Sequence, residues 1–159
     1  MQIRIDKFTW VVILIVVALL AAAVVTVNRT SGDNVPPTTY RTADEPATPV
    51  YNAFVAMQRG DAATARAQYS QRILAEQAKT NFDPFLNRGY IDGRNARRLR
   101  IMETQMDAND PNRALVTIAI DSYYPGGLFS GGSTSTMRRT LQVIREDGVW
   151  KLDSDEYFY

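Results

Sequence analysis

The stretch TLQVIREDGVWKLDS, residues 140–154, decides the fold because it joins two alternating segments through the tightest turn signal of the chain. Apolar and polar residues alternate before the turn, and Trp150 and Leu152 continue the alternation after it. A period of two is typical of a strand with one buried face, and Glu-Asp-Gly between two such segments indicates a hairpin. The stretch therefore predicts paired strands over 136–145 and 149–158.

Two further alternating segments precede this hairpin. Residues 97–106 place Leu99 and Ile101 on one face, and residues 113–124 place a valine and two isoleucines on one face. The sequence DANDPN between them consists of residues that tolerate tight or left-handed backbone. Together with the hairpin, these segments predict a meander of four antiparallel strands.

Three short helices are predicted ahead of the strands. Thr48 followed by Pro49 suits the start of the first helix, which Gly60 ends. Asp61 and Ser70 are good N-caps for a second and a third helix. Helices followed by a meander indicate the α+β class, with about three helices packed on one face of a curved four-stranded antiparallel sheet.

The N-terminal region contains FTWVVILIVVALLAAAVVTV, residues 8–27, without a single charge. A helix of this length crosses a hydrocarbon core of about 30 Å. Arg4 and Lys7 precede the span, and positive flanks favour the cytoplasm. We therefore expect a single-pass protein of the cell membrane with its C-terminal domain in the periplasm or outside the cell. The expected segments are a cytoplasmic stub 1–7, a transmembrane helix 8–27, an extracytoplasmic linker 28–47 and a domain 48–159.

A cleavable signal peptide is the alternative reading of the same segment. Ala21 and Ala23 could satisfy a small-x-small cleavage rule, and the chain would then be secreted. The apolar stretch is longer than the roughly 7 to 15 residues of a usual signal core, which favours the anchor.

The composition excludes several kinds of function. The part of the chain after the predicted span carries equal numbers of basic and acidic residues, which argues against general binding of nucleic acid through a basic surface. The chain has neither cysteine nor histidine, so it cannot by itself build ordinary zinc, iron-sulfur or blue-copper sites, or a nucleophile-histidine pair. We expect no cofactor, no metal and no catalytic residue.

Two strings carry a resemblance to a known family. TPVYNAFVAMQRGDAATARAQYS, residues 48–70, and EDGVWKLDS, residues 146–154, resemble the opening helices and the closing hairpin of the nuclear transport factor 2-like and ketosteroid isomerase-like superfamily. The resemblance covers residues 44–159. It implies a cone-shaped domain whose curved sheet wraps a helix and can leave a pocket at its open end. Catalytic members use Asp, His or Tyr residues, none of which transfers to a position of this chain.

An arginine run provides the first candidate site. Arg94, Arg97, Arg98 and Arg100 form a run that could dock an acidic partner face or anionic lipid headgroups, and Arg97, Arg98 and Arg100 are the candidate interface residues. Charges on an edge strand also prevent edge-to-edge aggregation, which is the commoner reason for such a run.

The loop YYPGGLFSGG, residues 123–132, is the second candidate. Aromatic and aliphatic side chains on a glycine-rich loop are typical of interface anchors. The same side chains could instead fold back and close the cone. The candidate interface residues are Tyr123, Tyr124, Leu128 and Phe129.

The third candidate site is the alanine-rich C-terminal half of the predicted transmembrane helix. Small residues let transmembrane helices approach closely, so this half could pack on another membrane subunit, although plain anchoring requires only hydrophobicity. The residues concerned are Ala18, Ala21, Ala22 and Ala23.

Carboxylates are a fourth candidate. Asp121 and the group Asp153, Asp155 and Glu156 could serve as general bases if they were buried beside tyrosines, but carboxylates near strand ends are ordinarily exposed.

These observations predict a non-catalytic accessory or scaffold subunit of a multi-subunit bacterial membrane complex, with membrane lipid and other subunits of that complex as partners. Respiratory or photosynthetic electron-transfer assemblies such as alternative complex III belong to the expected class. The alternative is a membrane-anchored small-molecule-binding protein, or an isomerase- or hydrolase-like enzyme that uses the cone pocket.

Overall fold

The computed structural model describes residues 7–30, 39–80, 82–85, 96–124, 126 and 131–158, and within the first segment it describes side chains from Thr9 to Leu20. The chain divides into two compact units, of which the second begins at Thr39. Helix α1, Lys7–Thr30, belongs to the first unit. The second unit contains α2 (Ala47–Arg59), α3 (Ala62–Ala67), α4 (Gln71–Gln77), β1 (Ala96–Met106), β2 (Arg113–Tyr124), β3 (Ser133–Glu146) and β4 (Val149–Leu152). This order confirms the α+β class.

Helix α1 is apolar on all sides. Every side chain from Thr9 to Leu20 is exposed, including Trp10 at 56% and Leu19 at 65%. Over the side chains that the structure describes, no helix reaches the length and apolarity of a membrane span.

The four strands form one antiparallel sheet in chain order, β1-β2-β3-β4, as the alternation predicts. The observed β2 has the predicted bounds, and a register shift interrupts its pairing with β1 between Ile101 and Glu103. The prediction was wrong for β4, which ends at Leu152 instead of continuing to residue 158. The chain leaves the sheet there because the Asp153 carboxylate turns inward and accepts a hydrogen bond from Ser70.

The helices follow the predicted order, and two of the three predicted caps are confirmed. The Asp61 carboxylate accepts a hydrogen bond from the Thr64 amide, and the Ser70 hydroxyl accepts one from the Ile73 amide. The predicted cap at Thr48 was wrong, since α2 begins at Ala47 and the Thr48 hydroxyl instead donates to a preceding carbonyl oxygen.

Residues 39–46 pack with the second unit, although the sequence places them in the linker. The Tyr40 hydroxyl donates to the Asp61 carboxylate at 3.0 Å. The Arg41 amide donates to the Asn52 side chain at 2.8 Å, and the Asn52 amide group returns a hydrogen bond to the Arg41 carbonyl oxygen at 3.0 Å. The compact unit therefore includes nine residues ahead of the predicted start at residue 48.

The core lies between the helices and one face of the sheet, with α2 packed on β1 and β4. The C-terminal segment closes it, because the Phe158 ring meets the Phe54 ring edge to face at 5.8 Å between centroids. The largest fully buried side chains include Tyr69, Ile118, Ile120, Leu152 and Val50.

Candidate docking surface

The face of the sheet opposite the helices carries rows of side chains that the strand register defines. Asp121 of β2 lies between Arg98 and Thr136, and Ala119 lies between Arg100 and Arg138. Directly paired residues of neighbouring strands project to the same side, so these rows share one surface. We call it the outer face, meaning the rows centred on Asp121, Ala119, Thr117 and Leu115 of β2.

The predicted arginine patch is divided between the two faces of the sheet. Arg98 and Arg100 are two residues apart and lie on the outer face, whereas Arg97 lies on the helix side. The Arg97 guanidinium donates to the Phe158 carbonyl oxygen at 2.6 Å and holds the C-terminal segment. Arg97 therefore has a structural contact, and its role in docking a partner stays a prediction.

Arg138 joins the outer face although sequence reasoning missed it. It pairs across Ala119 with Arg100, and Ala119 is fully buried beneath the longer side chains around it. Only the pairing of β2 with β3 brings Arg138 beside the β1 arginines. The alternation of β3 indicates its face, but the sequence alone does not fix the register.

Arg100 and Asp121 form a bidentate ion pair. The two guanidinium nitrogens lie 2.7 and 2.9 Å from the carboxylate oxygens, and the Thr136 hydroxyl donates to the same carboxylate at 2.7 Å. These hydrogen bonds, with the nearby charge of Arg98, lower the pKa of Asp121 from 3.8 to about 2. A carboxylate with so low a pKa is a poor general base at neutral pH, so Asp121 stabilises the sheet surface instead.

Arg98 and Arg138 have no such partner. Both side chains are exposed, and within the described part of the chain neither guanidinium forms a hydrogen bond or an ion pair. The outer face therefore presents two available cations on either side of a neutralised pair.

A depression of about 410 Å³ lies at the other end of the outer face, next to the β1-β2 turn. Leu115 is 46% exposed there and is paired with Gln105 and Gln142 on its two sides. Between the depression and the arginines, the hydroxyls of Thr117 and Thr140 lie 3.1 Å apart. The lining of the depression is polar as well as apolar and includes Gln105, Asp107 and Arg113, so the apolar contact that this end of the face offers is centred on Leu115.

The predicted interface loop is described in part. Tyr123 and Tyr124 are 47% and 46% exposed, while Leu128 and Phe129 lie outside the described residues. A Cβ atom at Gly132 would lie 2.6 Å from the Tyr123 hydroxyl, so the tyrosine ring packs directly on this glycine. Of the predicted helix-packing residues, Ala18 is exposed, and the side chains of Ala21, Ala22 and Ala23 lie outside the described ones.

The C-terminal carboxylates hold the domain together. Asp153 is buried and receives hydrogen bonds from the Ser70 hydroxyl and the Arg72 guanidinium. The Glu156 carboxylate lies 3.5 Å from Arg139. No cluster of three or more metal-ligating side chains occurs among residues that the structure describes.

No protein-family model matches the chain, and no curated protein matches it significantly. The solution structure of a SEC-C motif containing protein from Rhodopseudomonas palustris is similar, with a TM-score of 0.53 and 16% sequence identity. The similarity covers 75% of this chain and 83% of that protein. At this identity it shows the fold alone.

Proposed function

We propose that this protein is a membrane-anchored, non-catalytic accessory subunit whose C-terminal domain docks a partner of the same complex. The observation that carries the proposal is the exposure of an uninterrupted apolar helix surface from Thr9 to Leu20. Successive helix positions point in directions about 100° apart, so twelve exposed positions cover every side. A helix that is apolar all round belongs in lipid or among other spans.

The chemistry of the domain supports a binding role over a catalytic one. Its buried polar side chains are engaged in structural contacts, since Asn52 binds Arg41 and Ser70 binds Asp153. Asp121, whose pKa is lowered to about 2, is committed to its ion pair with Arg100. The resemblance to the nuclear transport factor 2-like superfamily stays a prediction, and a fold of that kind serves many functions.

The location of the protein and its orientation in the membrane can be tested with single-cysteine variants, because the chain contains no cysteine. Ser135 lies on the exposed part of β3. We expect Ser135→Cys to react with a membrane-impermeant maleimide that reaches the outer side of an intact cell membrane. We expect Gln2→Cys to react only after the membrane is permeabilised. The proposed orientation is contradicted if Gln2→Cys reacts first, and anchoring is contradicted if carbonate washing releases the protein.

Association is tested by gentle detergent extraction of the native protein, followed by size analysis and identification of the subunits that co-migrate. We expect the chain to migrate in an assembly much larger than 17.8 kDa plus its micelle. Respiratory and photosynthetic complexes are candidate assemblies, and the co-migrating subunits decide among them. A chain that migrates alone as a monomer overturns the proposal.

A groove between α4 and the C-terminal segment favours the second candidate, binding of a small apolar molecule. It has a volume of about 320 Å³, and its lining includes Ile73, Pro84 and Tyr157. Burial raises the pKa of the Tyr157 phenol. This volume is at the lower end of the range for ligand pockets. If an apolar metabolite extracted with the purified protein is displaced by Ile73→Trp, small-molecule binding becomes the better description.

A further inference from the structure

We propose that the outer face binds an extended acidic segment of a partner protein. Partner carboxylates bind Arg98 and Arg138, and an apolar partner side chain enters the depression at Leu115. This inference rests on the proposed function, because it names the chemistry of the partner that the accessory subunit docks.

The charges of the outer face select an anionic partner. Arg100 is neutralised by Asp121, but Arg98 and Arg138 are exposed and have no ion-pair partner among the described residues. Guanidinium groups form strong, directional pairs with carboxylates. The neutral pair between them adds no repulsion to an incoming carboxylate.

The spacing of the outer face selects an extended protein segment. Arg138 pairs with Ala119 and Arg98 pairs with Asp121, which lie four and six residues from Leu115 along β2, so the two arginine rows lie about 13 and about 20 Å from the Leu115 row. A partner in extended conformation presents side chains with the same period. We therefore expect partner carboxylates about four and about six positions from an apolar residue.

Other occupants suit this face less well. A lipid headgroup would satisfy the arginines but leave Leu115, which is 46% exposed, without an apolar contact. A nucleic acid carries phosphate charges along its whole length and would meet the exposed Glu103 carboxylate beside Thr117, whereas a peptide needs carboxylates only at the arginine rows. A second copy would bring the same unpaired arginines, with only one unpaired carboxylate per face to oppose them.

The test uses a zero-length cross-link on the full chain in its native membrane. Arg98→Lys and Arg138→Lys keep the charge and introduce a primary amine, which carbodiimide couples to a carboxylate in direct contact. The native Lys79, on the exposed end of the α4 region, is the internal control. We expect both variants to couple to Asp or Glu residues of one partner protein. In the cross-linked peptides an apolar residue should lie about four positions from the residue coupled to Arg138→Lys and about six positions from the residue coupled to Arg98→Lys.

Several products would overturn the inference. These are coupling only to Asp121 of the same chain, coupling to a lipid phosphate or to a second copy, and yields no higher than that of Lys79. A complete lack of adduct also overturns it.

A second measurement separates this inference from the proposed function. We expect the amount of co-migrating partner to fall at least about tenfold in the double variant Arg98→Gln, Arg138→Gln. Lys79→Gln is the matched control. Neither guanidinium forms a hydrogen bond or an ion pair within the described residues, and Arg98 adds only the smallest of the effects that shift the pKa of Asp121, so the melting temperature should change little at neutral pH. If the double variant retains the assembly, the outer-face inference fails and the accessory role stands. If the wild-type chain migrates alone, both fail.

Discussion

At the scale of single residues, the ionised Asp121 carboxylate makes the stability of the folded protein depend on pH in the acid range. Its pKa of about 2 lies below the ordinary value of 3.8, so the ionised carboxylate stabilises the folded state above about pH 4. That contribution is lost as the pH falls from about 4 toward 2, because the carboxylate must then be protonated. We expect the melting temperature of wild type to fall more steeply over this interval than that of Asp121→Asn. Equal slopes for the two proteins would contradict the assignment.

Ser70 is the second single residue whose substitution should measurably change the free energy of unfolding. Its fully buried hydroxyl accepts a hydrogen bond from the Ile73 amide at 3.3 Å and donates to the buried Asp153 carboxylate. Ser70→Ala removes a helix cap and a carboxylate partner, so we expect a loss of about 2 kcal/mol in the free energy of unfolding. The measurement is urea unfolding followed by near-ultraviolet circular dichroism. Thr80→Ala removes an exposed hydroxyl after α4 and should have a much smaller effect.

At the scale of elements, the β3-β4 hairpin depends on its turn. Asp147 and Gly148 have φ values of 51° and 81°, so both lie in the left-handed region that favours glycine. Nothing lies within 4 Å of a Cβ atom built at Gly148, so Gly148→Ala tests backbone strain alone. We expect it to destabilise the fold by about 1 kcal/mol.

Gly131 provides the control for this substitution. A Cβ atom there also meets nothing within 4 Å, and its φ is not positive. Thermal unfolding should show Gly131→Ala close to wild type and Gly148→Ala at a lower midpoint. Equal midpoints would show that the turn is not under the expected constraint.

At the scale of the whole molecule, two truncated chains test where the domain begins. Residues 39–159 form a compact unit, so this fragment should fold and remain in the supernatant after membranes are sedimented. Residues 48–159 lack Arg41, which leaves the buried Asn52 side chain without two hydrogen bonds. We expect the shorter fragment to be less stable by about 2 kcal/mol. Equal urea midpoints, or membrane association of the longer fragment, would contradict these expectations.

The sequence by itself determined the element types and most of their bounds. Period-two alternation identifies strands because it reports which side chains one face buries, and Asp61 and Ser70 mark helix starts because capping is a local interaction. At the end of β4 the local signal erred because the long-range contact of Asp153 with Ser70 took precedence. At Thr48 it erred because the hydroxyl donates to the carbonyl oxygen of Ala43, just ahead of the helix.

Only the tertiary structure decided which arginines share a surface. Arg97, Arg98 and Arg100 are neighbours in the sequence, but the strand pleat places Arg97 on the core side, and the β2-β3 register places Arg138 beside the arginines of the outer face. The β1-β2 register joins Asp121 to Arg100 and so removes a candidate general base. Strand pairing depends on the packing of the whole sheet, which is why the TLQVIREDGVWKLDS stretch predicts a hairpin but not the composition of the face beside it.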